Sequence, residues 1–175
     1  MIKFSRKWAM PNCETFSIQC IAEFIGKYLE KSQCSVDPFA RNSKLAMTTN
    51  DLNPETTAKY HYEANEFLNG MASIRHVFDL VLFDPPYSVR QIQECYNGIG
   101  KVVTQKDTQC PYTEWKRNIS RVCADDAVVL SFGWDSNGMG QKHGFEIIEI
   151  MLVAHGGAHH DTICVAEKKI KGLGF

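Results

Sequence analysis

Four consecutive residues, Asp84-Pro85-Pro86-Tyr87, set side by side an acid, two rigid carbonyl groups and an aromatic ring. A carboxylate at Asp84 and the carbonyl of Pro85 can together accept the two N–H bonds of one aromatic amine. Such an amine is a poor nucleophile because its lone pair is delocalised into the ring. Two acceptors draw the nitrogen toward tetrahedral geometry and free the lone pair for attack. The element that must place them comes immediately before. Asp79 to Phe83 is a short apolar run of strand formers without helical period, which predicts a buried parallel strand. Pro85 and Pro86 lack amide donors and fix φ, so the strand ends there and Asp84 is held extended at its carboxyl end. In open α/β sheets that edge is where ligands bind.

Composition bounds the remainder. The chain has 175 residues, 44% hydrophobic and 22% charged, which suits one domain with a sizeable core across residues 1–175. A formal net charge of −1 gives no global field attracting nucleic acid, so any phosphate contact must come from a local patch. Seven cysteines at 13, 20, 34, 95, 110, 123 and 164 form no Cys-x-x-Cys pair. They predict reduced thiols in a cytoplasmic protein, without a zinc site or a disulfide framework. Neither a secretory leader nor a membrane span is expected.

Asp84-Pro85-Pro86-Tyr87 resembles the Asp-Pro-Pro-Tyr motif of S-adenosylmethionine-dependent amino-methyltransferases, which methylate N6 of adenine or N4 of cytosine in DNA. The resemblance implies a reduced Rossmann-like α/β fold, mostly parallel with an antiparallel strand near the C-terminus, and S-adenosylmethionine as cofactor. It makes Asp84, Pro85, Pro86 and Tyr87 the catalytic set, with Asp84 also beside the cofactor and Tyr87 stacking on a base flipped out of the helix. The leading Asp favours adenine over cytosine. Other segments resemble the family in the order it requires. Asn12 to Ile18, before an amphipathic helix over Ser17 to Lys31, is similar to the family's motif X and implies Phe16 and Ser17 near the methionine end of the cofactor. Asp37-Pro38-Phe39-Ala40 resembles the start of its Asp-Pro-Phe-x-Gly-x-Gly loop. Arg41, Asn42 and Ser43 replace the glycine-rich remainder, and the short spacing to the next strand, Leu45 to Thr49, predicts that the first crossover helix is short or missing. Asp51, with Asn53 beside it, falls where an acid would accept ribose hydroxyls. Glu63 and Ala64 occupy the places of an acid and a small residue that contact the adenine.

Beyond the motif, Val89 to Gly100 has helical spacing, with Ser88, Arg90 and Gln91 as candidate contacts to the flipped nucleotide. Residues 101–111 read as a substrate-gripping loop. Trp115, Ile119 and Val122 mark a helix whose outer face carries Lys116, Arg117 and Arg121. Ala127 to Phe132 is a second buried strand, ending in a glycine-rich loop whose Trp134 is a candidate base-stacking residue. Phe145 to Val153 and Thr162 to Glu167 predict an antiparallel hairpin. Its loop holds His155, His159, His160 and Asp161, which are metal-ligand types. Two glycines between the histidines argue against a face that would hold them together, so a polar turn and no metal are expected. With no stretch for a target-recognition domain, the reading is DNA adenine methylation at short or loosely specified sites, or with a second copy of the chain as a homodimer. RNA is the alternative polymer, and a cofactor- or nucleic-acid-binding protein without catalysis the alternative class. A small stand-alone enzyme of this kind suits a phage or mobile element.

Overall fold

The computed structural model describes residues 1–86, 111–157 and 159–171. Its centre is one seven-stranded sheet in the order β1-β6-β7-β5-β4-β2-β3. The strands are β1 (Lys3–Trp8), β2 (Ser35–Asp37), β3 (Thr48–Thr49), β4 (Phe78–Phe83), β5 (Cys123–Gly133), β6 (Phe145–Ala154) and β7 (Thr162–Lys169). β2 pairs in parallel with both β3 and β4, β4 with β5, and β1 with β6, whereas β7 runs antiparallel to β5 and β6. This is the expected mostly parallel sheet with an antiparallel C-terminal pair.

Two apolar layers sandwich it. On one face α1 (Gln19–Leu29) buries Ile21, Phe24 and Ile25 against Leu80, Leu82, Leu130 and Phe132. On the other, α2 (Ala64–Ser73) and α3 (Tyr112–Val122) bury Phe67, Leu68, Trp115 and Ile119 against Val36, Val81, Phe83 and Val129. The alternation along β4 decides this split, because successive side chains of a strand point to opposite faces. At roughly 25 cal/mol per Å² of apolar surface removed from water, two such faces supply most of the stabilising free energy.

Three elements depart from the sequence reading. β1 has no counterpart in it: Phe4 and Trp8 stay exposed, so the strand lacks the buried alternation that would reveal it, and it is held by pairing with β6. β3 is shorter than the expected Leu45–Thr49. Leu45 and Met47 face solvent, and the Met47 amide turns aside to the Ser35 hydroxyl at 2.9 Å. α1 begins at Gln19, after a separate 3-10 turn at Thr15–Ser17, rather than at Ser17. Residues 38–47, between β2 and β3, contain no helix, as the spacing predicts.

Candidate active site

The carboxyl ends of β2, β3 and β4 lie next to one another, and the loops leaving them build the site. In the β2–β4 register Val36 lies beside Val81, so Asp37 falls beside Leu82, and Asp84 is two residues further along on the same side. That side is the α1 face, where the Thr15–Ser17 turn also lies: Phe16 packs edge-on against Phe132 at 4.9 Å.

Four buried side-chain polar atoms lack a hydrogen-bond partner among the described residues, and two of them are Asp37 Oδ2 and Asp84 Oδ1. Such an atom costs about 1–3 kcal/mol unless something satisfies it. These two stand at the ends of adjacent strands, Asp37 at the end of β2 and Asp84 just past the end of β4. Asp37 is fully buried, with Oδ1 accepting the Phe39 amide at 3.0 Å. Its pKa lies well above the ordinary carboxylate value, chiefly from burial and further from the negative charges of Asp84 and Asp51, against the Phe39 bond. Asp84 keeps part of its surface accessible while Oδ1 is enclosed. Burial pushes its pKa up to about 7, against a hydrogen bond from the Thr15 side chain and the nearby Arg41 guanidinium. Asp84 is thus held far above the ordinary carboxylate range.

The loop after β2 is held by Asn50, which the sequence reading treated only as a turn former. Its amide donates to the Asp37 carbonyl at 2.9 Å and its carbonyl accepts the Ala40 amide at 2.9 Å. Its side chain reaches the carbonyls of Pro38 and Tyr62 and accepts the Tyr62 amide at 3.1 Å. Asn50 is completely buried, so these bonds fix the Pro38-Phe39-Ala40 backbone against the following segment. Phe39 is fixed on its other side by Trp115, edge-on at 4.9 Å.

The remaining predicted residues divide. Asp51 sits at the end of β3, but each carboxylate oxygen already takes one backbone amide, Arg41 at 2.8 Å and Asn53 at 2.9 Å. Asn53 in turn accepts the Glu55 amide. Glu63 caps α2 through the Asn65 and Glu66 amides and receives the Trp115 indole N–H at 3.3 Å, while Ala64 lies in the core. Both therefore have evident packing roles. Ser17 is exposed and donates to the Glu14 carbonyl at 2.8 Å. Pro85 is buried, and the Pro86 carbonyl accepts the Tyr112 hydroxyl at 2.7 Å, so α3 clamps the proline segment. Trp134 stands half exposed and stacks on His160 at 4.6 Å. Its loop is tied down by fully buried Glu167, which accepts the Met139 amide and, at 2.8 Å, that of Gly140. Gly138, with φ +47°, passes so close to this carboxylate that a Cβ would collide with it. Tyr87, Ser88, Arg90 and Gln91 lie outside the described residues, as do the expected helix from Val89 and most of the loop at 101–111. In the hairpin loop, His155 has both ring nitrogens engaged, with the Ala9 carbonyl and the Thr162 hydroxyl at 2.8 Å each.

The fold is shared with solved S-adenosylmethionine-dependent methyltransferases. A solved SAM-dependent methyltransferase from Agrobacterium tumefaciens superposes with a TM-score of 0.56 at 10% identity, over 87% of this chain and 62% of its own. TrmN from Thermus thermophilus gives 0.54 at 13% identity, over 87% and 49%. The N-methyltransferase NodS from Bradyrhizobium japonicum, solved with S-adenosyl-L-homocysteine, gives 0.51 at 10%, over 85% and 87%. The chain thus spans 62% and 49% of the first two, so it matches them over a part of their length. No protein-family model and no curated protein matches it. Among the described residues no helix is long and apolar enough to cross a membrane.

Proposed function

We propose that this chain transfers a methyl group from S-adenosylmethionine to the exocyclic amino nitrogen of a nucleobase, adenine N6 in DNA. The observation that carries the proposal is Asp84 Oδ1, buried at the carboxyl end of β4 and without a partner among the described residues, on the same side of the sheet as Asp37 Oδ2, which likewise has none among them. The residues present suit the cofactor. Asp37 offers a buried carboxyl oxygen with no partner among the described residues, Phe39 and Ala40 a fixed backbone, Phe16 an aromatic wall, and Asp51 one further lone pair on each oxygen. The cofactor, when bound, supplies the electrophilic methyl group.

The chain's own residues do the rest. Asp84, ionised above about pH 7, accepts one amine N–H through Oδ1, and the Pro85 carbonyl accepts the other. As the nitrogen gains the methyl carbon it gives up one proton, which Oδ1 receives. The Tyr112 bond to the Pro86 carbonyl keeps the acceptors in register. The fold supports the cofactor, and one neighbour of the same fold is described as an N-methyltransferase, acting on nitrogen as this reading requires. The choice of adenine rests on Asp at the head of the motif. Positive charge is present locally for a phosphate backbone: after burial, the charges of Lys142, Lys116 and Arg117 near His143 hold it below its ordinary pKa.

Calorimetry with S-adenosylmethionine, paired with a transfer assay on unmethylated DNA and RNA, tests the reading. Asp84→Ala is expected to keep cofactor affinity within a few fold and to lose roughly 10²–10⁴-fold in transfer. Absence of cofactor binding in the unaltered chain would overturn the reading in favour of a non-catalytic protein, and transfer to RNA alone would change its polymer.

A further inference from the structure

Aromatic rings continue along the sheet edge on which Asp84 stands. β7 runs antiparallel to β5 and β6, and β1 is parallel to β6, so β1, β4, β5 and β6 all end on that edge. Following it outward from β4, Trp134 comes directly after β5, and its ring stacks on His160 of the β6–β7 loop with centroids 4.6 Å apart. The same loop carries Gly156, and at the end of β1 the Trp8 indole nitrogen lies 3.6 Å from where a Cβ on that glycine would stand. From Trp8 the row turns down β1. Phe4, Arg6 and Trp8 alternate with Lys3, Ser5 and Lys7, so the first three share one face. It is the face away from α1, because Met151 and Val153, which pack with α1, lie beside Ser5 and Lys7.

Exposure and charge together identify what this strand meets. Phe4 and Trp8 are 69% and 65% exposed, so their rings present flat apolar surface to the outside. Residues 1–13 hold Lys3, Arg6 and Lys7 and no acid, in a chain whose net charge is −1. Lys3 lies beside Glu149, but the ladder neighbours of Arg6 and Lys7 are Leu152 and Val153, and neither cation forms an ion pair among the described residues. Open rings with an uncompensated cation between them complement a polyanion that carries open π faces. A nucleic acid with unpaired bases is such a partner, whereas the bases of a duplex already stack on one another.

We propose that Phe4, Arg6 and Trp8 of β1 hold a single-stranded flank of the nucleic acid whose base is methylated at Asp84, the rings stacking on unpaired bases and Arg6 taking a phosphate. The proposal rests on the reading of Asp84 as the site of transfer. β1 stands four strand steps from β4, about 19 Å at ~4.8 Å per step. A strand rising ~3.4 Å per nucleotide covers that distance in about six nucleotides, within the roughly 4–16 that a single-strand-binding fold takes. The stacked pair of Trp134 and His160 lies between the two ends of this path.

Fluorescence anisotropy of the full chain tests this, with a labelled adenine-containing single strand long enough to span the path and with the duplex of the same sequence. The unaltered chain should bind the single strand more tightly than the duplex. Trp8→Ala and Phe4→Ala should each weaken single-strand binding roughly tenfold, and Trp8→Phe should recover most of the loss. Arg6→Gln should lower the slope of log affinity against log salt by about 0.7. Both rings are exposed, so melting temperatures within a few degrees of the unaltered chain show that the variants are folded. Single-strand affinity unmoved in both alanine variants, or lost equally for the duplex, would overturn the proposal while leaving the role of Asp84 standing if transfer proceeds. Sedimentation showing a dimer that Trp8→Ala converts to a monomer would also overturn it, since the face would then join two copies of the chain. Single-strand binding that falls as expected in a chain showing no transfer would uphold the docking strand and remove the catalytic reading instead.

Discussion

Replacing Asp84 by asparagine should make the protein more stable at alkaline pH while silencing it. Burial raises the Asp84 pKa from 3.8 to about 7, so the folded state holds a proton that the unfolded chain releases. The stabilisation linked to that proton is fully present below the unfolded value and is lost as pH climbs through the folded one. A difference of about three units corresponds to about 4 kcal/mol as a ceiling. Part of the residue meets solvent, so about half of that, roughly 2 kcal/mol, is the working figure. Asp37 lies in the same field, and removing the Asp84 charge also eases its ionisation, so the measured difference belongs to the pair. For a chain of this size about 2 kcal/mol is roughly 4–8 °C in melting temperature. Calorimetric scans of both proteins from pH 4.5 to 8 provide the assay: the asparagine variant should gain on the unaltered chain up to about pH 7 and the difference should level off above it. A constant offset between them would refute the reasoning, because it would mean that Asp84 ionises in the fold as easily as in water.

Other contacts make separate predictions. Tyr112→Phe removes only the hydroxyl that holds the Pro86 carbonyl, worth about 1 kcal/mol, and should lower kcat about fivefold with little change in cofactor KM; steady-state kinetics reads this directly. Asn50→Ala strips the β2–β3 loop of its buried bonds and should cost about 2–3 kcal/mol in denaturant unfolding, with at least a tenfold loss of cofactor affinity by calorimetry. Normal affinity in a folded Asn50→Ala protein would show that this loop does not hold the cofactor.

The legible parts of this molecule are those where burial imposes a pattern. β4, β5, β6 and β7 were each expected within a few residues of where they lie, because apolar runs bounded by Pro, Gly or polar turns leave few alternatives. α3 declared itself through Trp115, Ile119 and Val122, all of them buried. What escaped notice is held by partners distant in sequence. β1 owes its place to pairing with β6, so its own exposed residues carry no signal. The bonds of Asn50 to Asp37, Pro38, Ala40 and Tyr62, and that of Tyr112 to Pro86, join segments whose proximity only the fold creates. Arg41 was visible as an anomaly, a large residue in a glycine's place, but its left-handed backbone and its reach to Cys13 were not. Glu63 shows a role that residue type alone does not announce: at the N-cap of α2 its carboxylate accepts the Asn65 and Glu66 amides, a task more usual for Ser, Thr, Asp or Asn.

The most direct measurement is incubation of the unaltered chain with methyl-labelled S-adenosylmethionine and unmethylated DNA, followed by enzymatic digestion and nucleoside analysis. Label is expected in N6-methyl-2′-deoxyadenosine, and absent from it when Asp84→Ala is used. Label found only on cytosine or on protein, or no label in DNA despite bound cofactor, would contradict the assignment of Asp84 as the acceptor of an adenine amine.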